Sequence, residues 1–247
     1  MNRILFESDE IADGVVRFDD FRAEHVLKVL HGEVGQTLKT GEIDGLVGTA
    51  EILAIDGGAV TARVEHAALS PRPWVDVVLA PPRPRVLKRL LPQFAALGVG
   101  RIILVGAKKV EKDFWGATLL KREIYRPLLI EGLMQAGTSM LPVIESWKSF
   151  NRFVREGLSG CAHRRRLVAH PYGGRRAREF AAAAESAAES AVEAERGRLL
   201  LAIGPEGGWT DEEVGALEAA GFQRCSLGPR ILRTDTAAIA LLAQLMD

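Results

Sequence analysis

Two short apolar runs near the C-terminal end, Leu199–Ile203 and Phe222–Leu227, each stop abruptly at glycine. The first runs into Gly204-Pro205-Glu206-Gly207-Gly208 and the second into Gly228-Pro229, and each is followed by a segment able to start a helix. Short continuous apolar runs suit strands buried on both faces. Two such strands, so close in sequence, place two loops on one rim of one sheet, the rim where open α/β sheets take their ligands.

Strand–helix alternation extends back from this stretch to residue 74. Trp74–Ala80 reads as a strand ended by Pro81-Pro82-Arg83-Pro84, and Arg85–Leu97 as a helix closed by Gly98. Pro92 is expected to kink or divide that helix. Arg101–Val105, Val143–Glu145 and Arg166–Ala169 are further strands, and a helix is expected at about Phe150–Gly157. Phe114 to Gln135 carries one long helical pattern with Lys121, Arg122 and Arg126 on a basic side. Arg178–Glu195, rich in alanine and glutamate, reads as an exposed helix or loop. Thr210 and Glu213 have capping-box spacing at the head of a helix that Gly221 closes. The last helix, Thr234–Leu245, is apolar over most of its circumference, as befits a buried helix or one packed on a partner chain. Alternation of this kind predicts an α/β fold around a parallel sheet with helices on both faces.

The first 70 residues have a different rhythm. Ile4–Phe6 and Val15–Phe18 are short strands with Gly14 between them, and Asp19-Asp20 caps a short helix carrying Phe21, Val26, Val29 and Leu30. Val34–Lys39, Leu46–Ile55 and Val60–Val64 follow as strands, with turns expected at Gly41, Gly45, Gly57 and Gly58. Short strands and close turns suggest a small β-barrel. Ser70-Pro71-Arg72-Pro73 reads as a linker, so the boundaries are 1–70 and 71–247.

Formal net charge is zero, but its distribution is not even. Residues 1–70 hold 6 Lys/Arg against 13 Asp/Glu, residues 71–178 hold 21 against 7, and residues 179–247 hold 5 against 12. A central third this basic points to a polyanionic partner, with nucleic acid favoured. The start of the chain lacks the apolar core of a secretion signal and no run is long enough to span a bilayer, so no membrane association is expected. Cys161 and Cys225 are isolated, consistent with a reducing cytoplasm, and Cys225 reads as buried filler. Neither the five histidines nor the cysteines have metal-ligand spacing, and no nucleophile elbow, P-loop or GxGxxG follows a first strand.

The two glycine-rich loops remain as candidates. Three glycines and a proline in Gly204–Gly208 exceed the needs of a tight turn and let main chain approach a ligand closely. Glu206, Asp211, Glu212 and Glu213 make the loop locally acidic, which disfavours phosphate and suits a neutral or cationic ligand. In Gly228–Ala237, Arg230 and Arg233 flank Ile231-Leu232. Arg233 either forms a structural ion pair with Asp235 or Glu206, or positions a phosphate or base carbonyl.

Taken together, Ile203–Val214 and Leu227–Ala240 resemble the signature blocks of the RsmE-type 16S rRNA uridine-N3 methyltransferases of the SPOUT superfamily. Weaker likeness covers the rest: His25–Leu30 followed by Gly32, Leu97-Gly98-Val99, Glu131 with Gln135, Leu141-Pro142, and Leu167–Pro171. The resemblance implies a PUA-like RNA-binding barrel over 1–70 and a SPOUT methyltransferase domain over 71–247, with a parallel sheet and a C-terminal trefoil knot. It implies S-adenosylmethionine bent between the loops at Ala169-His170-Pro171, at Ile203, Gly204, Glu206, Gly207 and Gly208, and at Leu227, Gly228, Ile231 and Leu232. It implies a homodimer through the knot domain and 16S rRNA of the small ribosomal subunit as substrate. Arg233 and Arg230 would stabilise charge on the reacting base, and Glu206 is a candidate proton acceptor. Gln93 and Ala96 stand where the family usually has lysine and glutamate, and Thr138 where it has arginine, so the RNA contacts diverge. The alternatives are another SPOUT RNA methyltransferase, acting on tRNA or a ribose 2′-oxygen, and a non-catalytic RNA-binding assembly factor.

Overall fold

A computed structural model describes residues 2–246 apart from 182–196. The chain divides into two compact units, Met1–Arg72 with Pro127–Leu141, and Pro73–Arg126 with Pro142–Asp247. Residues 127–141 thus pack with the first unit, although a single cut at 70/71 would assign them to the second.

The first unit is built on a six-stranded sheet. Its elements are β1 (Ile4–Phe6), β2 (Ile11–Ala12), β3 (Val15–Phe18), α1 (Phe21–Lys28), β4 (Thr37–Glu42), β5 (Val47–Asp56) and β6 (Ala59–Ala68), with strand order β1-β4-β5-β6-β3-β2. Only the β1–β4 pairing is parallel. The strand expected at Val34–Lys39 begins instead at Thr37, because Gly35 is in left-handed backbone, with φ +86°, and turns the chain first. Gly41 is not a turn residue: it pairs with Leu5 and Val47 inside β4, where a Cβ would lie 2.9 Å from Val47 Cγ1. Arg22 on α1 is buried over Phe6 and Phe18 and pairs with Glu10 and Asp20. Burial opposes its charge, but hydrogen bonds to both carboxylates outweigh burial and raise its pKa. It fastens the helix to the sheet.

The second unit is an all-parallel sheet. Along the chain come β7 (Val75–Leu79), α2 (Pro84–Ala96), β8 (Val99–Val105), α3 (Arg122–Ala136, which runs from this unit into the first), β9 (Val143–Trp147), the single turn α4 (Phe150–Arg152), β10 (Arg165–Ala169), β11 (Arg175–Arg176), α5 (Ala177–Ala181), β12 (Leu199–Ile203), α6 (Asp211–Ala219), β13 (Gln223–Ser226) and α7 (Thr234–Leu245). Strand order is β11-β13-β10-β12-β7-β8-β9. Every residue of β7 and β12 is buried, as a central strand covered on both faces demands.

Pro92 does not divide α2. The carbonyl deprived of its N–H partner is that of exposed Lys88, while Leu87, Leu90, Leu91 and Phe94 bury the opposite stripe. The long helix expected from Phe114 starts only at Arg122. Lys112–Gly116 and Thr118–Leu120 are 3-10 turns, interrupted by Ala117 and Lys121 in extended backbone. The helix expected at Phe150–Gly157 is present, but Phe153–Gly157 has π geometry. Strand β11, too short and too basic to register as a pattern, was not anticipated. Of Arg178–Glu195, residues through Ala181 lie in α5 and the rest falls outside the described residues.

Asp76, on β7, is the one charged side chain in that strand. It accepts from Arg101 Nε at 2.9 Å and from the Arg101 backbone N–H at 2.8 Å, lies 2.9 Å from His163 Nε2, and pairs with Arg198 at 3.3 Å. These groups sit where β7, β8, β10 and β12 begin, so they clamp the amino edge of the sheet. Burial pushes the Asp76 carboxyl up, but hydrogen bonds from His163 and Arg101 outweigh burial and hold it below its usual value.

Candidate functional site

Because every pairing in this sheet is parallel, the turns after β7, β8, β10, β12 and β13 leave from one carboxyl edge. All three loops singled out from sequence are therefore on that rim, joined by the turns at Pro81–Arg83 and Gly106–Val110. Strand neighbours bring the first and third loops together. The His170 backbone N–H donates to the Cys225 carbonyl at 3.0 Å, and Arg176 Nη1 donates to the Leu227 carbonyl at 3.3 Å. The second loop is tied to the last helix by Thr234 Oγ1, 3.4 Å from the Gly204 carbonyl.

The individual residues differ in what they present. Ile203 is buried in the core and its carbonyl already accepts from Ala80, so it contributes scaffold. Pro171, Glu206, Gly207, Arg230, Ile231, Leu232 and Arg233 are exposed, Ile231 at 74%, while Ala169, His170, Gly204, Gly208 and Leu227 are half-buried. Gly228 is buried with φ +118°, and a Cβ there would fall 2.3 Å from Arg176 Nη1. Gly208, with φ +69°, allows the turn into the Thr210 cap. That cap is a full capping box, and buried Glu213 also accepts from the Lys108 backbone N–H at 2.7 Å. Cys225 is buried, which pushes its thiol up to about 12 and leaves it inert.

The acidic loop read in the sequence has basic neighbours in the fold. Glu213 is consumed by the cap, and Arg83, Arg89, Lys109 and Arg233 share with Glu206 the lining of two hollows that also hold Glu111, Asp113 and Asp235. Glu206 Oε1 accepts from the Arg83 backbone N–H at 3.1 Å, and Lys109 Nζ donates to the Gly207 carbonyl at 2.7 Å. Two hollows adjoin here. One, of about 210 Å³, is walled by Pro81, Pro82, Val110 and Phe114 and edged by Arg83, Lys109, Glu111, Asp113, Glu206 and Gly207. The other, of about 410 Å³, is edged by Arg83, Arg89, Glu206, Arg233 and Asp235. Glu206 lines both. Among the described residues no ion pair joins Arg233 to Asp235 or Glu206; Asp235 pairs with Arg89 at 2.9 Å.

Arg83, Arg89, Lys109 and Arg176 were not singled out from sequence. The proline cluster around Arg83 and the Lys108-Lys109 pair after a strand were the available signals. Among the described residues no cluster of His, Cys, Asp and Glu could hold a metal, and no helix is long and apolar enough to cross a membrane.

Residues 69–246 match the RNA methyltransferase domain family, and the chain is 33% identical to ribosomal RNA small subunit methyltransferase E of Treponema pallidum over 98% of its own length and 90% of the relative's. The chain belongs to the RNA methyltransferase family, as a member of its small-subunit methyltransferase E type. The Mycobacterium bovis protein of that type is 27% identical over the same shares. Two solved structures share this methyltransferase's fold. A Legionella pneumophila protein in complex with bound S-adenosylmethionine superposes with TM-score 0.73 at 25% identity, covering 99% of this chain and 96% of that one. Ribosomal RNA small subunit methyltransferase E of Neisseria gonorrhoeae gives TM-score 0.73 at 22% identity, covering 98% and 95%.

Proposed function

We infer that this RNA methyltransferase transfers a methyl group from S-adenosylmethionine to N3 of a specific uridine in 16S rRNA of the small ribosomal subunit. The observation that carries the reading is the convergence of the His170, Gly204 and Leu227 loops on one rim, built with glycines whose geometry leaves main chain open. Gly228 at φ +118° and Gly207, where a Cβ would crowd Lys109 at 2.9 Å, are places kept free of side chains. Such a rim fits a long, bent, cationic ligand gripped by main-chain groups.

In this reading Ala169, His170 and Pro171, the Gly204–Gly208 turn, and Leu227, Gly228, Ile231 and Leu232 hold the cofactor. When bound, it supplies an electrophilic methyl on a sulfonium sulfur. The chain's own residues do the rest. Uracil N3 keeps its proton at neutral pH, so a base must take it as the methyl arrives, and Glu206 is assigned that role. Charge then builds on O2 and O4, and Arg233, with Arg230 beside it, stabilises that charge. Holding N3 in line with the methyl supplies the orientational part of the rate.

The finer architecture of this reading is a PUA-like barrel over 1–70, a SPOUT domain with a trefoil knot over 71–247, and a homodimer through the latter. Register shifts in the β5–β6 pair, between Val47 and Gly48 and between Ile52 and Ala54, support a sheet bent toward closure. The contacts of α7 with both α2 and α5, and the Thr234–Gly204 bond, support a C-terminal segment threaded close to the earlier loops. Exposed Ile231 and Ile239 beside the rim and on α7 suit a dimer face.

The test uses small subunits lacking the modification and labelled S-adenosylmethionine. Wild type transfers label to 16S rRNA, and Arg233→Ala loses activity by about a hundredfold or more, the scale of one lost charge-stabilising donor. Full activity in Arg233→Ala would remove that role from Arg233.

A further inference from the structure

We propose that Lys109, Glu206 and Arg233 together read the uracil edge, with the ring seated in the hollow walled by Pro81, Pro82 and Phe114 and Lys109 acting as a catalytic and specificity-determining residue. This rests on the uridine reading above and deepens it.

N3 of uracil lies on the edge used for base pairing, so an enzyme that alkylates it must take the base out of its stack and hold it in a slot. Strand order shows where such a slot is available. The loops assigned to the cofactor follow β10, β12 and β13, while the smaller hollow is framed by the turns after β12, β7 and β8, on the other side of the Glu206-Gly207 turn. An acceptor there would face a donor across that turn.

The chemistry of the hollow suits a planar ring with polar edges. Pro81, Pro82 and Phe114 are buried and make an apolar wall. Three carboxylates, Glu111, Asp113 and Glu206, repel a phosphate, while Lys109 adds a hydrogen-bond donor to the rim and Arg83 is paired with Glu111 at 3.3 Å. A neutral ring of that kind meets both the apolar wall and the polar rim. The edge of uracil presents acceptor, donor, acceptor: O4, N3–H, O2. Its complement is donor, acceptor, donor. Glu206 lines both hollows, Lys109 only the smaller and Arg233 only the larger, so an acceptor shared by the two hollows has one donor in each, the set of groups that complement needs where the hollows meet. Cytosine presents donor, acceptor, acceptor along the same edge and would set its amino group against a cation.

The frame is already fixed. The Arg83 backbone N–H holds Glu206 Oε1, which leaves Oε2 available among the described residues, and the bond from Lys109 to the Gly207 carbonyl uses one of its three donors. In the transfer step the N3–H proton passes to Glu206, and the electron pair it leaves forms the N3–C bond. The S–C bond breaks with its pair retained on sulfur, giving a neutral thioether. Lys109 and Arg233 each neutralise charge on one flanking oxygen.

The test compares Lys109→Met and Lys109→Arg with wild type, on the same small subunits. Lys109 is exposed, so both variants are expected to melt with wild type and to bind S-adenosylmethionine unchanged in calorimetry. Lys109→Met should lower kcat by about ten- to a hundredfold, as loss of one edge contact implies, and Lys109→Arg should recover most of it. Wild-type kcat and KM in Lys109→Met would overturn the proposal while leaving the methyltransferase reading intact. A lowered melting point that tracks the loss in both variants would assign Lys109 a structural role and overturn it too. If wild type itself neither binds the cofactor nor methylates the subunit, the underlying reading fails, and this proposal fails with it.

Discussion

At the scale of single residues, the rim is defined by positions where a side chain is excluded as much as by those where one acts. Gly228→Ala meets two obstacles, a left-handed backbone at φ +118° and the Arg176 guanidinium 2.3 Å from the new Cβ. The guanidinium is the end of a flexible side chain and can move, whereas the backbone strain of about 1–3 kcal/mol cannot be relieved. Gly228→Ala should therefore weaken S-adenosylmethionine binding in calorimetry, and adding Arg176→Ala should not restore it. Recovery in the double variant would put the cost in the clash. Residue by residue, legibility followed sequence distance. The Thr210–Glu213 box was readable because its partners are three apart. Lys109 and Arg83 were not, because their partners Gly207 and Glu206 lie 98 and 123 residues away. The basic neighbours of the acidic loop were hidden for the same reason: Arg83 and Lys109 come from the turns after β7 and β8, and Arg89 from α2.

Among the elements, the parallel strands were legible because a strand buried on both faces needs a nearly continuous apolar run: β12 is wholly apolar, and β7 and β8 are interrupted only near their amino ends, by Asp76 and by Gly100-Arg101. Elements set by local backbone rather than pattern were not: the 3-10 turns before α3, the π turn before Leu158, the late start of β4 and the two-residue β11. Two predictions belong here. Thr210→Ala removes the side chain that accepts from the Glu213 N–H at the head of α6 and should cost about 1 kcal/mol in denaturant unfolding. Gly106→Ala should cost more, because its Cβ would fall 2.2 Å from the Lys148 backbone carbonyl, which cannot swing aside. The reverse ranking would contradict the packing described at the end of β8. The clamp at the amino edge carries a pH dependence. The folded pKa of Asp76 is lowered, so the native state binds fewer protons than the unfolded chain. Its contribution is present above the ordinary carboxylate value and is lost as pH falls through the depressed folded value. Asp76→Asn, which leaves Arg198 without its carboxylate and Arg101 with Glu145 alone, should lose about 3–5 kcal/mol near neutrality. The gap from wild type should close as pH falls below about 4, measured by thermal melting across pH. A constant gap over that range would show that Asp76 does not titrate as described.

For the whole molecule, the sequence made two rhythms and one basic segment visible but not the return of residues 127–141 to the first unit, since a helix that changes unit carries no mark of it in its pattern. The uneven charge bears on how the enzyme meets its substrate. The 21 Lys/Arg of residues 71–178, against 7 Asp/Glu, lie mostly in the second unit, so phosphate contact should be concentrated there. Affinity for small subunits should fall steeply with salt, and neutralising Arg83, Arg89 and Lys108 together should flatten that slope. An unchanged slope would place the RNA elsewhere. The central claim is methylation of uridine N3 in small-subunit rRNA, and nucleoside mass spectrometry of that rRNA from a strain lacking the chain addresses it directly. Loss of 3-methyluridine is expected, with its return when the gene is restored. Retention of 3-methyluridine, with loss of a ribose-methylated nucleoside or of none, would contradict the claim.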